Sequence, residues 1–525
     1  MMILTGLVYF ILCKFALGVD HGIFKSCVQS GFCNRNRILA EHILNEAETV
    51  PWIVQDVNLK NSLLEFKIGR LEEKLDVKVQ YLKTGALKIS ADPTQTSDRY
   101  KIPEGDVIAD DSASLTHYFK TTEEEDNVFH ITGTGLSVNI ISEPFSITLN
   151  SESDGEILKL NSNNLLNFEN GHSFKLSEIV KTIDERMSNE LWKEPKFSGR
   201  NQDTRVKGPT SIGVDISFSQ SKAIYGIPEH ATNLALKNTR GFDQNSKKVF
   251  SNSDPYRLFN LDVFEYELDS TMALYGAVPI MLGHNPHGSN HRSVGVFWNN
   301  PSETWVDVYE EKENNGKLTH WMSETGSFSL YIFAGKDLKH LQTIIKTLTG
   351  APQLPPSFAL GYHQCRWNYK TVDDVLEVHE NFDKNSLPVD VIWLDIEHTD
   401  GKKYMTWHPT NFADPDRMIN ELSRTGRKLV TIVDPHLKKD DEWEVYKEIV
   451  YKSLTVKAKD GKSDFEGDCW PGKSVWTDYT NPEARKWWAS LFSLEKYKVK
   501  ELFITNDFLS IVSRNQVKTS TFGMT

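Results

Sequence analysis

The chain has 525 residues, 39% of them hydrophobic and 25% charged, which is enough apolar material for more than one folded core. That balance excludes a disordered scaffold and a small disulfide-built domain. With 72 acidic residues against 59 basic ones the net charge is −13, and no long Lys/Arg run interrupts the excess; this argues against a nucleic-acid surface and for a neutral partner or substrate.

Residues 2–12 are almost wholly apolar, and Ala16 and Gly18 stand where a signal peptidase prefers small side chains, so residues 1–18 read as a signal peptide. The stretch is too short to cross a bilayer, and no second long apolar run follows. The mature chain is therefore expected to have no membrane span and to be lumenal or secreted. Cys13 would leave with the signal. In the next segment, residues 19–50, Cys27 and Cys33 lie in the polar string SCVQSGFCNRNR with no obvious core to fill. In an oxidising compartment that pattern predicts a local disulfide. Pairing of Cys365 and Cys469 stays open.

Residues 51–350 show short alternating or β-branched runs (VKVQYLK, LKISA, VFHITGTGLSVNII, FSITLN, GVDISF, SVGVFWNN, TWVDVYE, SFSLYIFAG) separated by Gly, Asn, Asp and Ser. The pattern predicts an all-β domain, most simply a sandwich. Residues 123–126 and 161–170 read as solvated loops. At the Pro-rich APQLPPS the pattern changes. Strand and helix then alternate four times through residues 351–525: SFALGYH, TVDDVLEVHENFDKN, VDVIWLD, PDRMINELSRTG, KLVTIVDP, a long loop, NPEARKWWASLFS and KELFITND. Each strand ends in a polar or aromatic cluster, as strands of a (β/α)8 barrel do at their functional end. A closed barrel takes about 250 residues and eight strands, so this stretch predicts half a barrel.

Asp395, Asp434 and Asp507 each end a strand. Carboxylates gathered at one barrel mouth suit glycoside hydrolysis, where one attacks the anomeric carbon and another protonates the leaving oxygen. Each could instead cap the turn that follows it. Trp367, Trp407, Trp470 and Trp476 lie near strand ends or in their loops and offer indole faces for a pyranose to stack on. Trp393, inside a strand, reads as core. A metal site is the rival chemistry, since Asp395 with Glu397, and Asp434 with His436, stand two apart on one strand face.

These residues sit in longer strings, among them YGIPEHATNLALK, DPYRLFNLDVFEYEL, LGYHQCRWNYKTVDDVLEV, DVIWLDIEHTDGKKYMTWHPTNF, LVTIVDPH and CWPG. They closely resemble glycoside hydrolase family 31, in its endoplasmic-reticulum α-glucosidase branch, from about residue 20 to residue 507. The resemblance implies a galactose-mutarotase-like β-sandwich followed by the first half of the (β/α)8 barrel. It implies that Asp507 of FITND is the nucleophile, and that Asp262, Trp367, Asp395, Ile396, Ile432 and Trp470 line the glucose subsite. By the same resemblance the reaction is retaining hydrolysis of α-1,3-linked glucose from N-linked glycans, without metal or cofactor, in the endoplasmic-reticulum lumen. The partner implied is a non-catalytic beta subunit. Two departures accompany it. Thr505 replaces the family's tryptophan before the nucleophile, and the likeness stops after Asp507, before the family's acid/base aspartate, the last barrel strands and the C-terminal β domains. The expectation is an incomplete and inactive piece of such an enzyme, or a truncated homologue that binds carbohydrate or subunit without catalysis.

Overall fold

The computed structural model describes residue 22 and residues 24–493, except 61–62, 95–98, 110–119, 126, 133–135, 172–174, 198–207, 244–247, 262, 264–265, 288–292 and 312–315. The signal segment, Asp262, Asp507 and the strand expected over KELFITND lie outside the described residues. Contacts divide the chain into two units between Ala351 and Pro352.

The first unit is a β-sandwich of two antiparallel sheets. One sheet has eight strands in the order Ile53–Lys60, Leu63–Arg70, Glu73–Tyr81, Leu87–Pro93, Phe328–Gly335, Ser293–Trp298, Ile280–His284 and Ile224–Gly226. The other has ten; its centre runs Thr304–Glu310, Lys317–Ser323, Ile212–Phe218, Gly155–Leu160 and Phe145–Ser151. Strand Glu73–Tyr81 shows why the sequence forms sheet here: Leu75, Val77, Val79 and Tyr81 alternate inward and are all buried, the period of two that a pleated strand imposes. Their faces meet Phe66, Ile147, Val214, Trp298 and Trp321 in one core. Helix Leu338–Thr349 lays Leu341, Ile344, Ile345 and Leu348 on Phe297, Tyr331 and Phe333, and Gly350 at φ +88° ends it in a conformation that side chains rarely adopt.

Three expectations need correction here. Strand Ile212–Phe218 is buried along its whole length, because the side opposite the core is covered too. Helix Gly31–Leu44 is packed against this sheet and buries Arg35, Asn36 and Arg37. Arg35 Nε donates to Glu169 Oε1 at 2.9 Å, and Arg37 Nε and Nη2 grip Asp307 at 2.8 and 2.9 Å. Burial alone would raise Glu169, but the Arg35 guanidinium outweighs it and holds the carboxyl below its ordinary value. Cys27 and Cys33, bonded to each other, do fill a core: both are fully buried beside Phe32, Trp305 and Met322. Residues 161–170 are not a solvated loop. Asn161, Asn167 and Glu169 are buried, and the backbone N–H groups of Asn163 and Leu165 donate to the buried Asp215 carboxylate. Finally, residues 123–125 belong to an edge strand, Lys120–Glu125, paired with Val128–Thr132.

The second unit opens with a parallel three-stranded sheet, His363–Arg366, Val391–Leu394 and Lys428–Thr431. Strands alternate with helices Val372–Lys384 and Pro415–Arg424. Ile392, Leu394 and Leu429 meet Val372, Val375, Met418, Ile419 and Leu422 from those helices. The segment SFALGYH is a short 3-10 turn, Ser357–Leu360, before the first strand rather than a strand throughout. The long loop after the third strand is also structured. It holds helix Glu444–Tyr451 and a second, antiparallel sheet in the order His436–Lys438, Gly472–Trp476, Glu466–Cys469. Strands as polar as EGDC carry no apolar run for sequence reading to detect.

Candidate glucoside subsite

The parallel register aligns Arg366, Leu394 and Thr431 across the sheet. Trp367, Asp395 and Ile432 are the next residues along each strand, so they leave the sheet as one row at its C-terminal end. The Ile432 N–H donates to the Leu394 carbonyl at 3.2 Å, carrying the ladder one step further. Trp367 is 67% exposed. Trp393, expected in the core, is 40% exposed and donates its indole N–H to His363 Nδ1 at 2.9 Å; Ile392 and Leu394 take the helix-facing side of the strand, which leaves Trp393 the other.

Asp395 accepts from the N–H of Ile396 at 2.7 Å and so caps the 3-10 turn Ile396–His398. From the end of that turn His398 Nδ1 donates back to the Asp395 carbonyl at 2.7 Å. His398 is buried, with Trp407 edge-on at 5.2 Å and Phe412 at 6.5 Å. Burial pushes its pKa down to about 4, against the pull of that carbonyl, so the imidazole is neutral and can hold the turn as a donor at one nitrogen.

Asp434, two residues past Ile432, is the meeting point of two loops. Its Oδ2 accepts from Tyr404 Oη and from Trp470 Nε1, the latter at 2.9 Å. Burial, and then the Asp434 carboxylate, push the Tyr404 phenol up, so it stays protonated and donates. Trp470 and Pro471 form the tip of the hairpin in which Cys469 pairs with Gly472, whose φ of +104° closes the turn. His436 is buried against Trp470, Tyr404 and Trp476 at 5.3, 5.8 and 6.4 Å. Burial lowers its pKa, with Asp434 opposing, and Cys469 Sγ lies 3.5 Å from its Nδ1; Cys365 and Cys469 are not joined in a disulfide. Among the described residues no three His, Cys, Asp or Glu side chains form a metal-holding group.

Trp367, Asp395, Ile396, Ile432 and Trp470 thus belong to one end of one unit. Sequence reading missed Tyr404, Lys402 and His398. The Asp-Gly at residues 400–401 marked a turn, and Lys402 and Met405 adopt φ of +65° and +62° there, but nothing in GKKYMTW announces a bond to a carboxylate 30 residues on. A separate cleft of about 380 Å³, lined by Asp383, Leu387, Pro388 and Arg427 among others, lies at the N-terminal ends of the strands. The strand-end row, not this cleft, gathers the candidate residues.

Residues 76–307 match the Glycosyl hydrolase 31 N-terminal galactose mutarotase-like domain, and residues 352–522 match the Glycosyl hydrolases family 31 TIM-barrel domain. The chain belongs to glycoside hydrolase family 31. It is 37% identical to the Dictyostelium discoideum protein named neutral alpha-glucosidase AB, over 95% of this chain and 56% of that one. It is 37% identical to a probable glucan 1,3-alpha-glucosidase of Oryza sativa, over 92% of this chain and 52% of that one. A crystal structure of an ER glucosidase II heterodimeric complex, of catalytic subunit and the binding domain of the regulatory subunit, superposes with a TM-score of 0.82 at 37% identity, covering 91% of this chain and 54% of that one. The family 31 chain described here therefore spans about half the length of the curated relatives it matches, and its two units have the mutarotase-like and barrel-type architectures of the family.

Proposed function

We propose that this chain carries the glucose subsite and the nucleophile of an α-glucosidase that removes α-1,3-linked glucose from N-linked glycans in the endoplasmic-reticulum lumen, in complex with a non-catalytic beta subunit. The observation that supports it best is the row of Trp367, Asp395 and Ile432 at the C-terminal end of a parallel sheet, with Trp470 tied in through Asp434. In this reading Asp395 and Ile396 wall the sugar, and the indoles of Trp367 and Trp470 offer apolar faces to the pyranose. Asp507 attacks the anomeric carbon, the bond to the leaving oxygen breaks, and water later hydrolyses the glucosyl ester. A proton donor must protonate that leaving oxygen, and the resemblance assigns this role to no residue of the present sequence. Without it turnover falls on the order of 100 to 10,000-fold.

The test measures binding and turnover together. The 525-residue chain is expected to bind methyl α-glucoside and an α-1,3-linked diglucoside while hydrolysing neither at a useful rate. Any hydrolysis that the chain does show is abolished by Asp507→Asn, which keeps binding. No binding by either protein, or unchanged hydrolysis by the Asp507 variant, overturns the reading.

A further inference from the structure

A tryptophan at the tip of a two-residue hairpin turn is held only weakly by the turn itself. Trp470 is such a residue, yet besides His436 packed on its ring it is restrained by three residues from elsewhere in the chain. Its indole N–H donates to Asp434 Oδ2 at 2.9 Å. Lys402 Nζ donates to its carbonyl at 3.2 Å and stands 5.8 Å from its ring centroid. Tyr404 meets the ring edge-on at 5.8 Å. A bond to a carboxylate is worth roughly twice a neutral one, and Lys438 Nζ on the Gly401 carbonyl at 2.8 Å steadies the loop that supplies two of the holds.

We propose that Asp434, with Lys402 and Tyr404, forms a clamp of positioning residues that sets the Trp470 indole as a wall of the sugar subsite, so that the 401–405 loop tunes glucoside affinity through Trp470. The inference rests on the glucoside reading above. It has a signed consequence: Tyr404 and Trp470 donate to the same oxygen, so removing one donor leaves that oxygen more available to the other.

The experiment reads the indole directly. In the 525-residue chain with 15N-labelled tryptophan, the resonance missing from Trp470→Phe identifies Trp470. In Asp434→Asn its indole proton is expected to move upfield and its exchange with water to quicken about tenfold, while the other indole resonances stay in place; in Tyr404→Phe the same proton moves downfield. Methyl α-glucoside binding weakens about tenfold in Asp434→Asn, as loss of a bond to a charged group predicts. An unmoved Trp470 resonance in both variants overturns the clamp, whatever the glucoside does. Should Asp434→Asn fail to fold, Tyr404→Phe decides, and an unmoved or upfield-shifted proton there overturns the clamp. A moved resonance with unchanged glucoside affinity overturns its role at the sugar. No glucoside binding by the unmodified chain overturns the subsite reading instead, and the indole shifts still judge the clamp.

Discussion

Two buried imidazoles make single residues of this protein sensitive to acid. His398 under the Asp395 turn and His320 on the helix-covered side of the ten-stranded sheet are both pushed down to about 4, chiefly by burial. The unfolded chain takes up protons at these sites near the ordinary value of 6.5, while the folded chain refuses them. Each therefore contributes stability that is present above pH 6.5 and is lost as pH falls from there towards 4, by about 3 kcal/mol per site at most. His398→Asn keeps a side-chain amide near the Asp395 carbonyl but removes the titration. Urea unfolding of both proteins at pH 7 and pH 4.5 is expected to show the smaller acid loss in the variant; equal losses would refute the assignment. At this scale the position of Asp395 was legible, because a carboxylate after an apolar strand marks a strand end; Ile432 entered only through the family resemblance, and Trp470 was read in a polar loop, since the strand before it has no apolar run. The bonds of Asp434 to Tyr404 and Trp470 were not legible, since they join residues brought together only by the fold.

Elements in this fold are held at their ends as much as along their faces. Helix Val372–Lys384, which lies between the first two barrel strands in sequence, begins in a capping box: Thr371 Oγ1 accepts from the Asp374 N–H at 3.0 Å and Asp374 Oδ2 accepts from the Thr371 N–H at 3.1 Å. Thr371→Ala leaves that first turn with an unsatisfied donor and should cost about 1 kcal/mol, read as a lowered urea midpoint of the second unit. At the other end of the same helix Arg427 bridges to Asp383 and to the His379 ring and carbonyl. Arg427→Met is expected to cost more than the cap variant, because it leaves the buried His379 ring nitrogen and carbonyl without their donor. Periodicity found this helix and the alternating strands. It missed Gly31–Leu44 as a buried element, since its Arg35 and Arg37 look solvent-seeking until Glu169 and Asp307, far along the chain, are placed against them.

For the whole molecule the two units rest on separate apolar cores, one between the sandwich sheets and, in the second unit, one between the parallel sheet and its helices and another around Leu437, Ile449, Val475 and Trp487. The sandwich core gathers large side chains from both sheets. The barrel unit has three parallel strands among the described residues, and the core between them and their helices is much smaller than that of the sandwich. Calorimetry of the 525-residue chain is expected to resolve two transitions, the barrel unit melting first, and residues 22–351 expressed alone should reproduce the later one; a single shared transition would contradict this. Architecture at this level was the most legible of all, because a switch from period-two strands to alternating strand and helix is written over hundreds of residues.

Helix Gly31–Leu44 is made early in synthesis, but Arg37 finds Asp307 only 270 residues later. At about 5 to 20 residues per second a ribosome takes roughly 15 to 50 s to cover that distance. Arg35 waits 134 residues for Glu169, and Arg37 waits through the whole interval with no acid to receive it. Its six-residue disulfide loop can close within the same window, so the emerging chain holds a preformed plug whose socket is still being built, and a chaperone that shields the plug would govern the yield of the sandwich.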